Sequence, residues 1–319
     1  MNLSKFQQQI ELKKPNHNLS LPIGNVSLDE KLGKFYQDFT QALFHFDENY
    51  FGDFDAEGIP MSGFGEQAVY SQIYIVQYGL ICHDLVIDGI DVELNKGYVK
   101  NCVNWLLKNK EEHQGTTIWR NHYPNPRYDL KSGWVSGMYQ GQVISLLLRY
   151  GQMFDQMDVV LPITQSAFEF FDIEYKDGGV KRFDKNGLLW FEEYPGAEPS
   201  FVLNGFVYTL LGIYDLWRVT KDPAVKNVID ECVKTLKESM QFYDSGYWSV
   251  YDQLNKELAT KYYHKNIHIP LMEVLHNLTG EEIFDAYKKR WEKQLNSNFN
   301  RVWVQVMYRV QPRLRRFSK

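Results

Sequence analysis

Residues 190–217 read WFEEYPGAEPSFVLNGFVYTLLGIYDLW. Two carboxylates, Glu192 and Glu193, and the phenol of Tyr194 stand on a loop broken by Pro and Gly, with Trp190 and Phe191 before them and a long, nearly uncharged apolar run after. A carboxylate beside aromatic rings and a second carboxylate has its pKa raised by desolvation and by like charge. That tuning makes it a competent acid or base near neutrality. A solvated acidic turn is the plainer reading of a Glu-Glu pair. The flanking rings, the adjoining tyrosine and the buried helix that follows argue against it here.

Three further stretches carry chemistry. YYHKNIH at 262–268 holds two tyrosines and two histidines. His264 and His268 are spaced i,i+4, one face of a helix, as a metal pair would be. No Glu follows His264 in an H-E-x-x-H pattern, and Pro270 argues against a helix through the segment. A tyrosine–histidine proton-transfer or sugar-contact site is the better reading, and no metal is assigned. SGYWSVYD at 245–252 puts Tyr247, Trp248 and Tyr251 on a turn-rich insert, with core packing as the plain alternative. WRNHYPNPRYDLKSGWVSGMYQGQ at 119–142 mixes Arg120, His122, Arg127 and Lys131 with Trp119, Tyr123, Tyr128 and Trp134. Cations interleaved with rings suit an acidic carbohydrate: the cations meet carboxylates and the rings stack on pyranose faces. A solvated loop is the alternative.

The elements that must position these groups are mainly helical. The chain has 319 residues, 44% of them hydrophobic, enough for one large domain or two ordinary ones. A net charge of −5 gives no basic footprint for nucleic acid. Aromatics at 15% fit either a core or a sugar-stacking cleft. Three scattered cysteines, Cys82, Cys102 and Cys232, read as reduced and buried rather than as a disulfide framework. The N-terminus has no apolar signal core, and no uninterrupted run approaches the ~20 residues that span a bilayer. The chain is therefore read as cytoplasmic, without a membrane span.

Residues 1–26 read as a polar N-terminal arm. Ser27 with Glu30 forms a capping box that should open a helix through about His45. Residues 46–68 look like loop with a short hairpin. Helical patterns follow at 70–88, 92–109, 135–154, 158–173, 201–219, 223–242 and 279–297. Asp222-Pro223 is an N-cap with Pro at the first helical position, and Thr279 with Glu282 repeats the capping box. The inserts at 175–195 and 243–264 carry Gly turns and strand-like aromatics. Residues 142–148 and 201–217 are apolar nearly all round, whereas 223–242 and 279–297 are amphipathic. Buried helices alternating with amphipathic ones predict two concentric layers: an (α/α) barrel or toroid with short β-hairpin inserts over 27–300, followed by a basic C-terminal tail, 301–319. Loops at one end of the inner helices would then surround a cleft, with the acidic loop at its mouth.

These stretches resemble the C-terminal domain of the D-glucuronyl C5-epimerase family. WFEEYPGAEPSFVLNGFVYTLLGIYDLW is similar to that family's EEYP…SFVLNGF core, and four more segments agree in order: EGIPMSGFG with IYIVQYGL (57–80), GWVSGMYQGQVISLLLRY (133–150), SGYWSVYD and KYYHKNIHI. The likeness covers roughly residues 45–297. It implies an (α/α) barrel, no cofactor, and inversion of D-glucuronate to L-iduronate within a heparosan-like chain. It maps the family's roles onto Glu193, Tyr194, Tyr251 and Tyr263; inverting C5 needs proton-transfer groups on opposite faces of the sugar, and these are assigned to Glu193 and Tyr263. Tyr194 and Tyr251 would orient substrate or relay protons, and His264 would meet the sugar carboxylate. Asn204, Gln140 and Tyr78, from the matching segments, join Arg120, Arg127, Tyr128 and Trp134 as candidate substrate-binding residues. The partner implied is an acidic polysaccharide; a homodimer is among the assemblies such a chain can form. Two departures stand out. The animal enzymes carry an Arg just after the YD motif, where this chain reads YDQLNK, and the His-to-His spacing is one residue longer here. The chain is also short for the β-rich domain of the animal members. Rival readings are a uronate polysaccharide lyase, an (α/α)-barrel glycoside hydrolase and a non-catalytic glycan-binding module.

Overall fold

The computed structural model describes residues 20–41 and 52–317, with side chains through Gln311. Four helical hairpins succeed one another: α1 (Gln72–Ile87) with α2 (Val92–Lys108), α3 (Gly137–Phe154) with α4 (Met157–Glu169), α5 (Leu203–Thr220) with α6 (Pro223–Ser239), and α7 (Ile269–Thr279) with α8 (Glu282–Asn296). A ninth helix, α9, spans Asn298–Phe317. The first helix of each pair is buried along most of its length; the second exposes a polar face. Helix α1 packs on α3, α3 on α5, and α5 on the turn that leads into α7, while each outer helix packs on its own partner. This is the (α/α) barrel that the alternation of apolar and amphipathic segments predicts. Three antiparallel two-stranded ribbons decorate it: β1 (Met61–Ser62) with β2 (Val69–Tyr70), β3 (Glu111–His113) with β4 (Thr116–Ile118), and β5 (Lys181–Phe183) with β6 (Leu189–Phe191).

The inner wall is tight where α3 meets α5. A Cβ on Gly141 would lie 2.7 Å from the Cα of Thr209, and one on Gly212 would run into the Gly141 backbone. Only glycine permits this approach. Below the contact, Asp215 of α5 accepts hydrogen bonds from Tyr36 Oη (2.7 Å), Ser145 Oγ (2.7 Å) and Arg149 Nη1 (2.5 Å), and Arg218 Nη1 stands 3.5 Å away. All five residues are buried. Arg149 Nε also donates to the carbonyl of Gly33 (3.0 Å), and Arg218 to those of Asp29 (2.8 Å) and Lys31 (3.0 Å). A buried charge survives only with such partners, so the acid inside the apolar run is the knot that ties residues 29–36 to the barrel.

That knot explains a departure from the sequence reading. Ser27 and Glu30 do not open a helix. Ser27 Oγ accepts from the backbone N–H of Asp29 (3.0 Å), a local turn, and residues 20–41 run without a helix, bridged at Ile23 and Gln37. Side-chain bonds to the backbone have outcompeted the helix. The expected arm is not free along its described part, since Leu21 is buried. Residues 1–19, and 42–51 of the expected helix and loop, lie outside the described residues. The second capping box also fails. Thr279 ends α7, bonding back to the Leu275 carbonyl at 2.6 Å; Gly280 (φ 71°) turns the chain, and Glu281 stands at the start of α8. Asp222 does cap α6, accepting from Ala224 N at 2.8 Å. The hairpin at 111–118 had no counterpart in the sequence reading.

Pro270 does not break its helix. The chain runs from Lys261–Tyr263 through a π-turn, His264–His268, straight into α7. A proline denies a hydrogen bond to the carbonyl four residues back. Here that carbonyl belongs to Asn266, and the side-chain amide of Gln37 donates to it instead. His264 and His268 stand at the two ends of that wide turn. The described part of the expected tail is helical and docked: α9 continues to Phe317, Val304 is buried against Trp248 and Leu258, and Tyr308 Oη donates to the Ala259 carbonyl at 2.6 Å.

The glycine contact is testable. Gly141→Ala should lower the unfolding free energy by about 1–3 kcal/mol, the cost of overpacking a tight core. Gly97→Ala, on α2 with open space around it, should leave stability unchanged or raise it by up to ~1 kcal/mol. Urea titration of both variants checks the contrast, and equal effects would refute it.

Candidate active site

The acidic loop leaves β6 in a bend at Glu193 and Tyr194, and its two carboxylates part. Glu192 turns one way. Its carboxylate accepts from Ser200 N (3.0 Å), Ser200 Oγ (2.5 Å) and Phe201 N (3.1 Å), and faces Arg182 Nε at 3.3 Å. Glu193 turns the other way, onto the first turn of α5. A Cβ on Gly205 would collide with the Glu193 carboxylate and come within 2.6 Å of its Cβ. The Asn-Gly step that opens the apolar helix is therefore the space the acid occupies.

Glu193 is only 2% exposed, and its Oε2 has no hydrogen-bond partner in the protein. The Tyr194 phenol favours the ionised carboxylate. Tyr251 lies close to both Tyr194 and Tyr263. The rings of Tyr251 and Tyr263 meet edge to face at 5.1 Å. Tyr194 stacks on Tyr128 at 4.1 Å, nearly parallel, and Trp134 closes on it at 5.7 Å. Arg127 lies over Tyr128 (5.4 Å) and Tyr251 (5.7 Å), 2.7 Å from Glu257 Oε2 and 3.7 Å from Asp252 Oδ2. A carboxylate and three phenols thus stand together, with a guanidinium beside them.

Burial pushes the Glu193 carboxyl up to about 7; the Tyr194 phenol and Arg127 oppose the shift, and the Asp252 and Glu192 charges add to it. Burial also pushes Glu192 up to about 7, against the pull of Ser200, Arg182 and the Phe201 amide. Tyr263 is raised to about 12, by burial first and by the charge of Glu193 second. Tyr194, Tyr251 and Tyr139 are held well above the usual phenol range, mainly by burial. A carboxyl poised near neutrality beside phenols that stay protonated can move a proton to or from carbon.

Of the residues singled out in the sequence, Glu193, Tyr194, Tyr251, Tyr263, Arg127, Tyr128 and Trp134 come together here. Asn204 adjoins them, one residue before Gly205, with its Oδ1 buried and unpartnered. Four do not join. His264 is buried and its ring lies on Trp248 at 3.7 Å. Its Nδ1 lies 3.2 Å from Ser249 N and 2.8 Å from Ser249 Oγ, and its Nε2 lies 3.2 Å from the Trp291 carbonyl. Both ring nitrogens are engaged in the core, so a sugar carboxylate has no free nitrogen to meet. Arg120 is drawn to Glu111 (3.3 Å) and the Gly133 carbonyl (3.0 Å). Gln140 donates to the Thr117 carbonyl (2.6 Å). Tyr78 packs on Phe54 and Tyr98 between α1 and α2. Among the described residues, no group of three or more His, Cys, Asp or Glu could hold a metal ion.

Sequence reasoning missed three members. Asp252 is buried and accepts from Tyr128 Oη at 3.0 Å. Tyr139, on the first turn of α3, lies close to Glu193 and Tyr123. Tyr208, beneath the cluster, donates to Gln37. The YD dipeptide and the SGMYQGQ segment carried the first two in plain sight; nothing local marks the third.

Fold and site together define an (α/α)-barrel protein with a buried acid and a row of phenols at the mouth of an inner helix. A profile of the D-glucuronyl C5-epimerase C-terminus matches residues 111–293, more than half of the chain, and the chain belongs to that family. It is 31% identical over 206 residues to the D-glucuronyl C5-epimerase of Caenorhabditis elegans, covering 59% of this chain and 33% of the worm protein. It is also 31% identical over 180 residues to an uncharacterized protein of Methanocaldococcus jannaschii, covering 55% of this chain and 57% of that one. The matches thus span between a third and somewhat over half of these relatives. Among solved structures, cellobiose 2-epimerase from Bacillus thermoamylovorans B4167 aligns with a TM-score of 0.43 at 12% identity, over 69% of this chain and 56% of its own. Among the described residues, no helix is long and apolar enough to cross a membrane.

The raised carboxyl has a thermodynamic signature. Its folded pKa, about 7, exceeds its usual 4.5. Between those values the folded state holds a proton that the unfolded state has lost, so stability falls as pH rises from about 4.5 to about 7. Glu193→Gln removes the titration. The variant should melt higher than the wild type at pH 8, with a shallower pH dependence; superimposable melting curves across that range would contradict the assignment.

Proposed function

We propose that the chain is a polysaccharide C5-epimerase that inverts D-glucuronate to L-iduronate in a heparosan-like polymer. The observation that carries this reading is the buried cluster of Glu193 with Tyr194, Tyr251 and Tyr263. C5 of a uronate is α to a carboxylate. Glu193 as carboxylate takes the C5 proton, and the electron pair of the C–H bond moves into the sugar carboxylate as an enediolate. Charge grows on those oxygens, where donors are most effective. Arg127 is the cation nearest the phenols. It takes the part of the family Arg that is absent after the YD motif, although it comes from the turn at 126–128. Tyr263, still protonated, returns a proton to the opposite face of C5. The proton on Glu193 then passes along Tyr194 and Tyr251 to the Tyr263 phenolate, and the site is reset. Asn204 and the rings of Tyr128 and Trp134 hold the sugar.

Heparosan incubated with the protein in deuterated water should gain deuterium at C5 of its hexuronates, and iduronate signals should emerge at constant chain length. A lyase would shorten the chains and leave an unsaturated, ultraviolet-absorbing uronate. A hydrolase would create reducing ends without label, and a glycan-binding module would change nothing. Any of these outcomes sinks the reading.

Single substitutions should divide the roles. Glu193→Gln should lower turnover ~10²–10⁴-fold, the usual contribution of a general acid or base. Tyr263→Phe removes one hydroxyl, and the variant should bind oligosaccharide yet fail to exchange C5–H. Full activity in Tyr263→Phe would end the two-group assignment.

A further inference from the structure

On the Glu192 side of the acidic loop lies an open cleft of about 600 Å³. It runs between the β5–β6 ribbon, residues 174–176 and the turn at 253–256, and shares no lining residue with the tyrosine cluster. Five of its lining residues are Lys or Arg and two are carboxylates, an excess of positive charge on a chain of net −5. One of those carboxylates, Asp184, is occupied by the amides of Asn186 (2.8 Å) and Leu188 (2.9 Å). Lys181 pairs with Asp172 at 3.0 Å. Among the described residues, no carboxylate pairs with Lys176, Lys185 or Lys256. Phe183 and Phe242 line the same cleft and are 49% and 48% exposed.

Unpaired ammonium groups beside half-exposed rings are the surroundings an acidic sugar requires, its carboxylate on the cations and its apolar face on the rings. We infer that this cleft is a second carbohydrate subsite, holding a uronate of the same polymer at a distance from the residue at Glu193. The inference rests on the acidic-polysaccharide reading above. The cleft also touches the parts that hold the acidic loop. Arg182, in its wall, donates to the carbonyls of Gly196 (2.5 Å) and Ala197 (3.2 Å) and faces Glu192; its guanidinium lies 3.4 Å from the centre of the Tyr175 ring. Phe201 lines the cleft and gives its N–H to Glu192. A remote grip of this kind raises the affinity for long chains without touching the reacting carbon.

The test compares the full chain with its Lys176→Glu/Lys185→Glu/Lys256→Glu variant, using size-fractionated heparosan oligosaccharides. Calorimetry reads binding, and deuterium exchange at C5 reads turnover on the same fractions. For long oligosaccharides the variant's Kd should rise about tenfold, within what three exposed ion pairs supply. For fragments too short to reach the cleft, Kd and kcat should not change. An unchanged Kd on long chains, or equal losses on short and long ones, overturns the proposal. Should the triple reversal fail to fold, the Lys→Gln triple should give a weaker loss with the same length dependence, and no loss there is equally decisive. Lysine-dependent binding without any C5 exchange would uphold the cleft and remove the epimerase reading. Duplex DNA held through the same lysines as tightly as the long oligosaccharide would overturn the assignment to uronates.

Discussion

The grip of Ser200, Phe201 and Arg182 on Glu192 is the constraint on which the site depends. Beyond the backbone bonds of Glu192 to Val180 and Gly137, a loop broken by Pro and Gly takes its geometry from side chains. Glu192 supplies that geometry by gathering two backbone amides, one hydroxyl and one guanidinium onto a single buried carboxylate. Held so, Glu192 anchors the bend from which Glu193 turns onto the first turn of α5. The two acids are thus a brace and a reactive group, a division invisible in the dipeptide itself.

The core obeys the same logic at larger scale. The inner helices come close enough for backbone contact at Gly141 and Gly212, and the charge they enclose is shared by Asp215, Arg149 and Arg218. Those arginines spend their remaining donors on carbonyls of residues 29–34. Uncapped, irregular chain is held as firmly as a helix, by bonds made to it rather than within it.

This arrangement shows what the sequence could reveal. Layer order was legible because burial on all sides and burial on one side leave different periodicities, as α5 and α6 do. The acidic loop was legible because Glu193 and Tyr194 sit beside aromatics and a buried helix. The Ser27 turn was not, since a capping box is a local pattern and its competitors, Arg149 and Arg218, lie more than a hundred residues away. The helix through Pro270 was not, because a side chain from Gln37 relieves the proline's penalty. His264 misled for the opposite reason. A histidine between tyrosines looks chemical, yet Ser249 and Trp291 use both of its nitrogens.

The Gln37 amide that serves the π-turn also bears on the order in which the molecule assembles. The partners are 229 residues apart, and contacts of such separation form late because the intervening chain must first be brought together. Tyr263 stands immediately before that turn. The barrel can therefore gain most of its helices as local hairpins while its last phenol still lacks a fixed direction. Docking of the segment around Gln37 against the final hairpin is then a late step of assembly, and it brings residues far apart in the chain to the turn beside Tyr263.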